Sequence, residues 1–404
     1  MDEVAAQYEH YPYPERDPAD EARRLITGSP SDLAEIDHFL FGGKRDWRQP
    51  FRALVAGGGT GDGLIQLAQQ LDDTGCPAEI TYLDLSHAAR GVAEARAKAR
   101  GLSGIRFLTG DILQAPELGR FDYVDCCGVL HHLEDPQAGF DALAKALAPG
   151  GGIGLMVYAP YGRTGVYPLQ AAFAALFAGD APAEKVALAR AALAALPESN
   201  WFLKNTGLSD HRASDAGLYD LLLHARDVPF DVEALLAALQ AAGLELVSFT
   251  EPARYDPARY LPNTDEFRER IARLDLASRM ALAERLAGDL RSHVCYAVPA
   301  GRAGAAMAKP TPEAVPRLAG IPAAALAGTV SKRGRITIDY DGVKHRIDLP
   351  RDSARLIALI DGRPLGRIAA AVGLDWIGFM QAWGPVHRGL TGFNRLRYSR
   401  FACA

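Results

Sequence analysis

The sequence has little cysteine, and the cysteines it has form no pattern typical of a metal site or a disulfide framework. Five cysteines, an odd number, occur in 404 residues, at positions 76, 126, 127, 295 and 403, and none lies in a Cys-x-x-Cys pair. Reduced thiols and no metal site are therefore expected. Cys126 and Cys127 should point to opposite faces of a strand and pack in the core.

The sequence also lacks any run of the roughly 18 apolar residues that a membrane span requires, and its N-terminus has no apolar signal segment. We therefore expect a soluble, cytoplasmic protein with no membrane partner. The apolar fraction of 49% and the length predict two or three domains with sizeable cores. The net charge of −5 is uneven, because residues 301–404 carry 16 Lys and Arg against 7 Asp and Glu, a net +9.

Two nucleotide-binding motifs are absent at the glycine-rich segment, which follows the apolar run at 53–56. The dinucleotide motif Gly-x-Gly-x-x-Gly fails because the sixth position from Gly57 is Asp62, and no Gly-Lys-Ser/Thr follows as in a P-loop. The remaining pattern is Gly-x-Gly-x-Gly at 57, 59 and 61, between a strand pattern and a helix pattern. Glycine lets the backbone approach a ligand closely, although a turn without a ligand is the alternative.

Carboxylates stand where the next two predicted strands end. Asp84 lies 23 residues after Gly61, about the distance at which a strand-end carboxylate binds a ribose. Asp111 closes the third strand after Gly110. Either residue could instead only cap the turn that follows. The fourth strand, 121–127, leads into Gly128 and the segment Val-Leu-His-His-Leu-x-Asp-Pro at 129–136, and Leu-x-Pro-Gly-Gly at 147–151 precedes the fifth strand.

These motifs together resemble class I, Rossmann-like S-adenosylmethionine (SAM) dependent methyltransferases over roughly residues 50–299, and the segment 129–136 is the most specific match. The resemblance implies an α/β fold with a seven-stranded sheet, helical insertions at 161–228 and 251–292, and an antiparallel last strand, 293–298, at the sheet edge. It implies SAM as the cofactor, with an acidic residue at position 111 on the adenine amino group. The implied cofactor-binding residues are Gly57, Gly59, Gly61, Asp84, Asp111, Ile112 and Gly128.

One position departs from the family pattern. The family usually has Asp or Glu two residues before the first glycine, where this chain has Val55. One polar contact near the methionine end of the cofactor is therefore in doubt.

Residues 1–49 are expected to form an arm and a helix that act as a lid, with a helical stretch from Asp20 to about Leu40. The segment 8–14 holds three tyrosines and two prolines, which exclude a regular helix there. It could also merely anchor the N-terminus to the core. Methyl transfer needs placement of the acceptor in line with the methyl group, and a hydroxyl acceptor needs a base as well. The candidate catalytic residues are Tyr11, Tyr13, His131 and His132, with a structural role at the strand end as the alternative for the two histidines.

The acceptor stays open between a small molecule and a protein side chain. In the family that the chain resembles, the signature Asn/Asp-Pro-Pro-Tyr marks enzymes that methylate exocyclic amines of bases or glutamine amides. Its absence here disfavours these acceptors. An RNA methyltransferase that binds through the basic C-terminal segment is one alternative. A regulator that binds SAM without catalysis is the other.

The C-terminal part is expected to contain a linker at 300–329 and a winged-helix-like domain at 330–404. Its hairpin should turn at Asp341-Gly342, before three helices. The positive charge makes nucleic acid possible, but two of these helices carry few basic residues. Trp376, Phe379 and Trp383 recur at helical spacing and predict a stripe packed on a neighbour. We expect this domain to dock on the methyltransferase domain or on a protein partner, or to mediate oligomerisation.

Overall fold

A computed structural model describes residues 3–340 and 342–401, and a seven-stranded sheet lies at its centre. Most residues of the central strands are apolar and buried, and helices cover both faces of the sheet, as is usual for parallel strands. The strands are β1 (Phe51–Ala56), β2 (Ala78–Asp84), β3 (Ile105–Thr109), β4 (Phe121–Cys127), β5 (Leu147–Tyr158), β6 (Leu244–Phe249) and β7 (Ser292–Pro299).

The strand order is β3-β2-β1-β4-β5-β7-β6. Strands β1 to β5 pair in parallel, whereas β7 runs antiparallel to both of its neighbours, β5 and β6. The prediction of an antiparallel last strand is correct, but its predicted place at the edge is wrong. The chain returns after β6 to insert β7 between β5 and β6, where the backbone groups of β7 are paired on both sides. The α/β fold class with a seven-stranded Rossmann-like sheet is confirmed.

Helices cover both faces of the sheet. One face packs on residues such as Phe140, Leu143 and Leu235, and the other on residues such as Ile36, Leu64 and Leu67. The helices up to the last sheet strand are α1 (Glu3–His10), α2 (Leu33–Leu40), α3 (Asp62–Asp73), α4 (His87–Ala99), α5 (Pro136–Ala146), α6 (Val166–Leu176), α7 (Pro182–Ala195), α8 (Trp201–Lys204), α9 (Asp210–Ala213), α10 (Asp215–Leu222), α11 (Val232–Ala241), α12 (Asp265–Ala272) and α13 (Leu276–Ala287).

The predicted helix from Asp20 to Leu40 is wrong. Only α2 is helical, after a short 3₁₀ turn at Pro18–Ala22. Gly28 and Pro30 interrupt the stretch, because glycine weakens a helix and proline cannot supply an amide donor. Helix α2 begins instead where the Asp32 carboxylate accepts a hydrogen bond from the amide of Glu35.

The insertion after β5 has a small apolar core of its own. Helices α6 to α10 contribute Val166, Phe173, Phe202 and Leu218 to it. This unit follows the C-terminal end of β5, so it stands over the edge of the sheet where strand-end ligands bind. The second insertion, between β6 and β7, holds α12 and α13.

The C-terminal unit begins earlier than the sequence suggests. Its core includes Leu326 and Val330 of a helix that begins inside the predicted 300–329 linker and ends at Arg333. Asp341 of the predicted turn and Cys403 lie outside the described residues. The elements after the sheet are α14 (Ala303–Ala306), β8 (Pro316–Leu318), α15 (Ala323–Arg333), β9 (Arg335–Tyr340), β10 (Val343–Asp348), α16 (Ala354–Ile357), α17 (Leu365–Ala371), α18 (Trp376–Thr391) and β11 (Leu396–Tyr398), with β8 paired to β11 and β9 to β10.

The predicted aromatic stripe does not form a docking surface. Phe379 and Trp383 are fully buried in the core of the C-terminal unit itself. The segment 394–401 makes one contact of the unit with the rest of the chain, on α2. There the side chain of Ser399 donates a hydrogen bond of 2.6 Å to Asp37. In another contact, Gly392 accepts a hydrogen bond from the amide of Ala253. The winged-helix assignment stays a prediction.

No helix within residues 3–340 and 342–401 has the length and apolar character that crossing a membrane would require.

Candidate functional site

The glycine turn joins β1 to α3, and its glycines meet two separate demands. Gly57, Gly59 and Gly61 all have positive φ angles, of 69°, 50° and 99°, which L side chains rarely adopt. Space is also short, because a Cβ on Gly57 would come within 2.3 Å of the Val129 side chain. A Cβ on Gly59 would lie 2.8 Å from the carbonyl oxygen of Tyr13. The turn therefore lies tightly between the loop after β4 and the N-terminal segment.

A cavity of about 520 Å³ opens beside this turn, outside the carboxyl ends of β1, β2, β4 and β5. This is the place where ligands bind in open α/β sheets. The structure brings most of the predicted site residues to the cavity wall. Those that line it are Tyr13, Gly57, Gly59, Asp84, Asp111, Ile112, Gly128 and His132.

Three predicted residues do not reach the cavity wall. Gly61 precedes the first residue of α3 and shapes the turn. Tyr11 packs its ring on Tyr219, with the ring centroids 5.3 Å apart, in the insertion. His131 is fully buried, and its Nδ1 accepts a weak hydrogen bond of 3.4 Å from the Tyr158 amide. Burial holds the pKa of His131 well below its usual range, so its ring is neutral.

The two strand-end carboxylates are fixed by backbone amides. Asp84 accepts hydrogen bonds from the amides of Gly59, at 2.7 Å, and Ser86, at 2.9 Å. Burial raises the pKa of Asp84 above its usual value, against the effect of these two donors. Asp111 accepts from the amide of Leu113 at 2.9 Å. Both residues therefore cap the backbone that follows them and also line the cavity.

The N-terminal residues 3–16, which we call the strap, lie across the turn and the cavity. Thr60 donates a hydrogen bond of 2.6 Å to the Pro14 carbonyl, and Ser86 donates one of 3.1 Å to the Tyr8 carbonyl. Glu9 accepts from the first amides of α4, a favourable place for a carboxylate. The strap therefore forms one wall of the cavity, as its lining residues Val4, Tyr8 and Tyr13 show.

A polar network forms the other end of the cavity. Asp220 of α10 accepts hydrogen bonds from the hydroxyls of Tyr8, at 3.1 Å, and Tyr158, at 3.2 Å. The Tyr8 hydroxyl also lies 3.1 Å from Nε2 of His224, and the rings of His224 and His132 stack at 3.7 Å. Burial is the main cause that raises the pKa of Asp220.

The hydrogen-bond partners determine which ring nitrogens of His224 and His132 carry a proton. The Arg226 amide donates to Nδ1 of His224, so the proton of this neutral ring is on Nε2, which donates to Tyr8. Nδ1 of His132 lies 2.7 Å from the Arg226 carbonyl. A carbonyl only accepts, so Nδ1 of His132 carries a proton. A metal ion on His132, Asp220 and His224, whose ligand atoms lie within 4.8 Å of one another, would have to displace these bonds.

Several residues that line the cavity were not predicted from the sequence. Tyr158, Asp220 and Arg226 are distant in sequence from the glycine turn, and the fold of the chain after β4 brings them to the cavity. Asp125 and Cys127 lie on β4 and face the cavity, so Cys127 is not the core residue that we expected. A signal for Asp125 was present, because it is an acidic residue inside an otherwise apolar part of the strand.

Comparison with known proteins agrees with this geometry. Residues 54–153 match a family model described as a methyltransferase domain. An uncharacterized protein of Synechococcus sp. is 33% identical over 249 residues, which cover 58% of this chain and 57% of that protein. A ubiquinone biosynthesis O-methyltransferase of Burkholderia vietnamiensis is 30% identical over 137 residues, 33% of this chain and 53% of that protein. The chain thus spans little more than half the length of the curated relatives it matches.

Among solved structures, PKMT2 from Rickettsia typhi superposes with a TM-score of 0.62 over 93% of this chain and 77% of that chain, at 14% identity. A second structure of PKMT2, in complex with AdoHcy, gives a TM-score of 0.60 at 13% identity. At this identity the likeness shows the fold alone. The family match and the fold together confirm the class I methyltransferase domain predicted from the motifs, with SAM as the cofactor of that family.

Proposed function

We propose that this protein, which carries a class I methyltransferase domain, transfers a methyl group from SAM to a hydroxyl group on a small-molecule or protein side-chain acceptor. The observation that carries the proposal is the arrangement around His132. Because Nδ1 carries its proton against the Arg226 carbonyl, the neutral form of this ring has its lone pair on Nε2. His132 lines the cavity, so this nitrogen is a base for the proton that a hydroxyl loses on methylation.

The residues around the cavity fit the cofactor. The turn has glycines at positions where a Cβ would clash with neighbouring atoms. Carboxylates lie at the ends of adjacent strands, where ribose and adenine groups are bound in such sheets. We assign cofactor contacts to Gly57, Gly59, Asp84, Asp111, Ile112 and Gly128. When bound, SAM supplies a methyl group on a positively charged sulfur, already activated for displacement.

The chain itself then contributes three things: it positions the acceptor, it limits the access of water, and it accepts one proton. Residues of the strap and of the insertion line the cavity and reduce the contact of the acceptor and the donor with bulk water. Asp220 fixes the Tyr8 and Tyr158 hydroxyls beside His132, which gives this end a defined polar geometry. Other wall residues are apolar, among them Val4, Leu133 and Met156. The cavity thus suits an acceptor with an apolar body and a polar, ionisable tip.

The role of His132 as the base is tested by comparing variants of His132 and of its neighbour His131. Purified protein would be incubated with methyl-labelled SAM and panels of hydroxylated, amine and thiol acceptors. His132→Gln should lower kcat by roughly 100- to 10,000-fold on a hydroxyl acceptor, with little change in the affinity for S-adenosylhomocysteine. His131→Gln, one residue away but off the cavity wall, is the matched control and should retain most of kcat. Full activity of His132→Gln would contradict the assignment.

The cofactor site has its own test. Gly59→Val should block the turn and Asp84→Ala should remove the ribose contact, so both should weaken SAM binding measured by calorimetry. Unchanged affinity in both variants would exclude this turn as the cofactor site.

A further inference from the structure

The acidic residue that is missing from β1 has a counterpart on the neighbouring strand. In the parallel pairing of β1 and β4, Val55 lies directly opposite Asp125. Paired residues of adjacent strands project from the same face of a sheet. The carboxylate of Asp125 therefore occupies the face of the sheet from which an acidic side chain at position 55 would project, one strand away.

Asp125 is a buried carboxylate, and the described residues supply no cation to it. It is only 2% exposed, yet it lines the cavity. Its Oδ2 accepts a hydrogen bond of 2.6 Å from the Ser31 hydroxyl, and no ion pair of residues 3–340 and 342–401 involves it. Burial raises the pKa of Asp125 to about 6, against the effect of the Ser31 hydroxyl. A buried carboxylate without a cation is costly, which indicates that a positive group completes this site.

The position of Asp125 matches one end of the cofactor. Across the sheet the order is Asp111 after β3, Asp84 on β2, the glycine turn after β1, and then Asp125 on β4. If adenine lies at Asp111 and ribose at Asp84, the methionine part continues past the turn toward β4. A Cβ on Gly63 would lie 3.5 Å from Oδ2 of Asp125, so this carboxylate is close to the first turn of α3. The free amides of that turn attract a carboxylate.

We propose that Asp125 takes the place of the acidic residue missing at position 55 and binds the α-ammonium group of the methionine part of SAM. The inference rests on the proposed function, because it takes SAM as the ligand of this cavity. The protein then binds both charged groups of the amino acid part of the ligand. The ammonium pairs with Asp125, and the carboxylate meets the amides at the start of α3.

The test compares two ligands that differ in the amino acid part. S-Adenosylhomocysteine carries the ammonium group, whereas 5′-methylthioadenosine lacks the amino acid part altogether. Asp125→Asn should weaken S-adenosylhomocysteine binding by roughly 10- to 100-fold in calorimetry, since it removes one charged hydrogen-bond partner. Binding of 5′-methylthioadenosine should change by less than about 2-fold. Asp84→Asn is the positional control and should weaken both ligands.

Ser31→Ala separates the proposal from a purely structural role of Asp125. This variant removes the hydrogen bond to Asp125 but keeps the charge, so it should bind S-adenosylhomocysteine several times better than Asp125→Asn does. If Asp125 serves only to hold Ser31, the two variants should behave alike, and both ligands should weaken together. That result would overturn the proposal.

The register provides a rescue experiment. In the double variant Val55→Asp, Asp125→Asn, the carboxylate returns to the strand where the family usually has it, and the affinity for S-adenosylhomocysteine should recover. Thermal melting of each variant shows whether it is folded. No recovery in a folded double variant would count against the register argument. No binding of either ligand by the unaltered protein would instead overturn the proposed function itself, so the two failures are distinguishable.

Discussion

Replacing Arg397 should reveal how strongly the C-terminal unit is held to the methyltransferase domain. Its guanidinium donates to Glu35, in the first turn of α2, at 2.5 Å and to Asp32, the residue that caps this helix, at 2.7 Å. Glu35 is fully buried and also accepts hydrogen bonds from Ser29, Tyr296 and Asn394. Arg397→Met keeps the apolar stem but leaves this buried carboxylate without its cation. Removing one partner of a buried ion pair costs about 3–5 kcal/mol. Because three donors to Glu35 remain, we expect a loss at the lower end, ~3 kcal/mol.

The assay is urea unfolding followed by tryptophan fluorescence, because Trp47 and Trp383 report on the two parts of the chain. A loss of ~3 kcal/mol should lower the urea midpoint by about 1 M, for a slope of roughly 3 kcal/mol per M. Arg190→Met is the matched control. Its partner Asp215 and Arg190 itself are about half exposed, so this variant should lose less than ~1 kcal/mol. Equal midpoint shifts in the two variants would refute the reasoning.

Three further outcomes are expected. Tyr8→Phe should lower kcat by roughly 10-fold with little change in S-adenosylhomocysteine affinity, because Asp220 loses one of the donors that orient it; steady-state kinetics and calorimetry check this. Gly57→Ala should abolish S-adenosylhomocysteine binding, since the new Cβ would clash with Val129. The control Gly75→Ala has a similar φ of 65° but open space around it, so it should bind normally in the same calorimetric assay. The affinity for S-adenosylhomocysteine should rise with pH through about 6, because the ionised form of Asp125 binds the ammonium, and Asp125→Asn should remove this dependence. The titratable and polar groups that face Asp125 are Ser31, Tyr123, Glu35 and Cys127.

Local pattern predicted the parts of the site that lie close together in the chain. The glycine turn and Asp84 were found because a strand, a turn and a helix have distinct periodicities and because parallel strands end at one edge. Adjacent residues were harder to separate. His131 and His132 share a short 3₁₀ turn, where only one of the two faces the cavity, and the sequence alone treats them alike.

The remaining site residues depend on tertiary packing. Tyr8 rather than Tyr11 reaches the cavity, because residues 3–10 form a helix. So short a segment shows no periodic pattern from which this helix could be predicted. Asp220 meets Tyr8 across 212 residues. Such a contact is set by how the insertion and the strap fold onto the sheet, and no local rule predicts it.

The first turn of α2 lies between the C-terminal unit and the cofactor cavity. Ser31, just before this helix, holds Asp125 on the cavity side. Asp32 and Glu35, one and four residues later, hold Arg397 on the other side. Two negative charges thus neutralise this arginine within the protein, so it does not add to a surface for phosphate groups. Hydrogen bonds thus connect the segment 394–401 to Asp125 through residues 31–35.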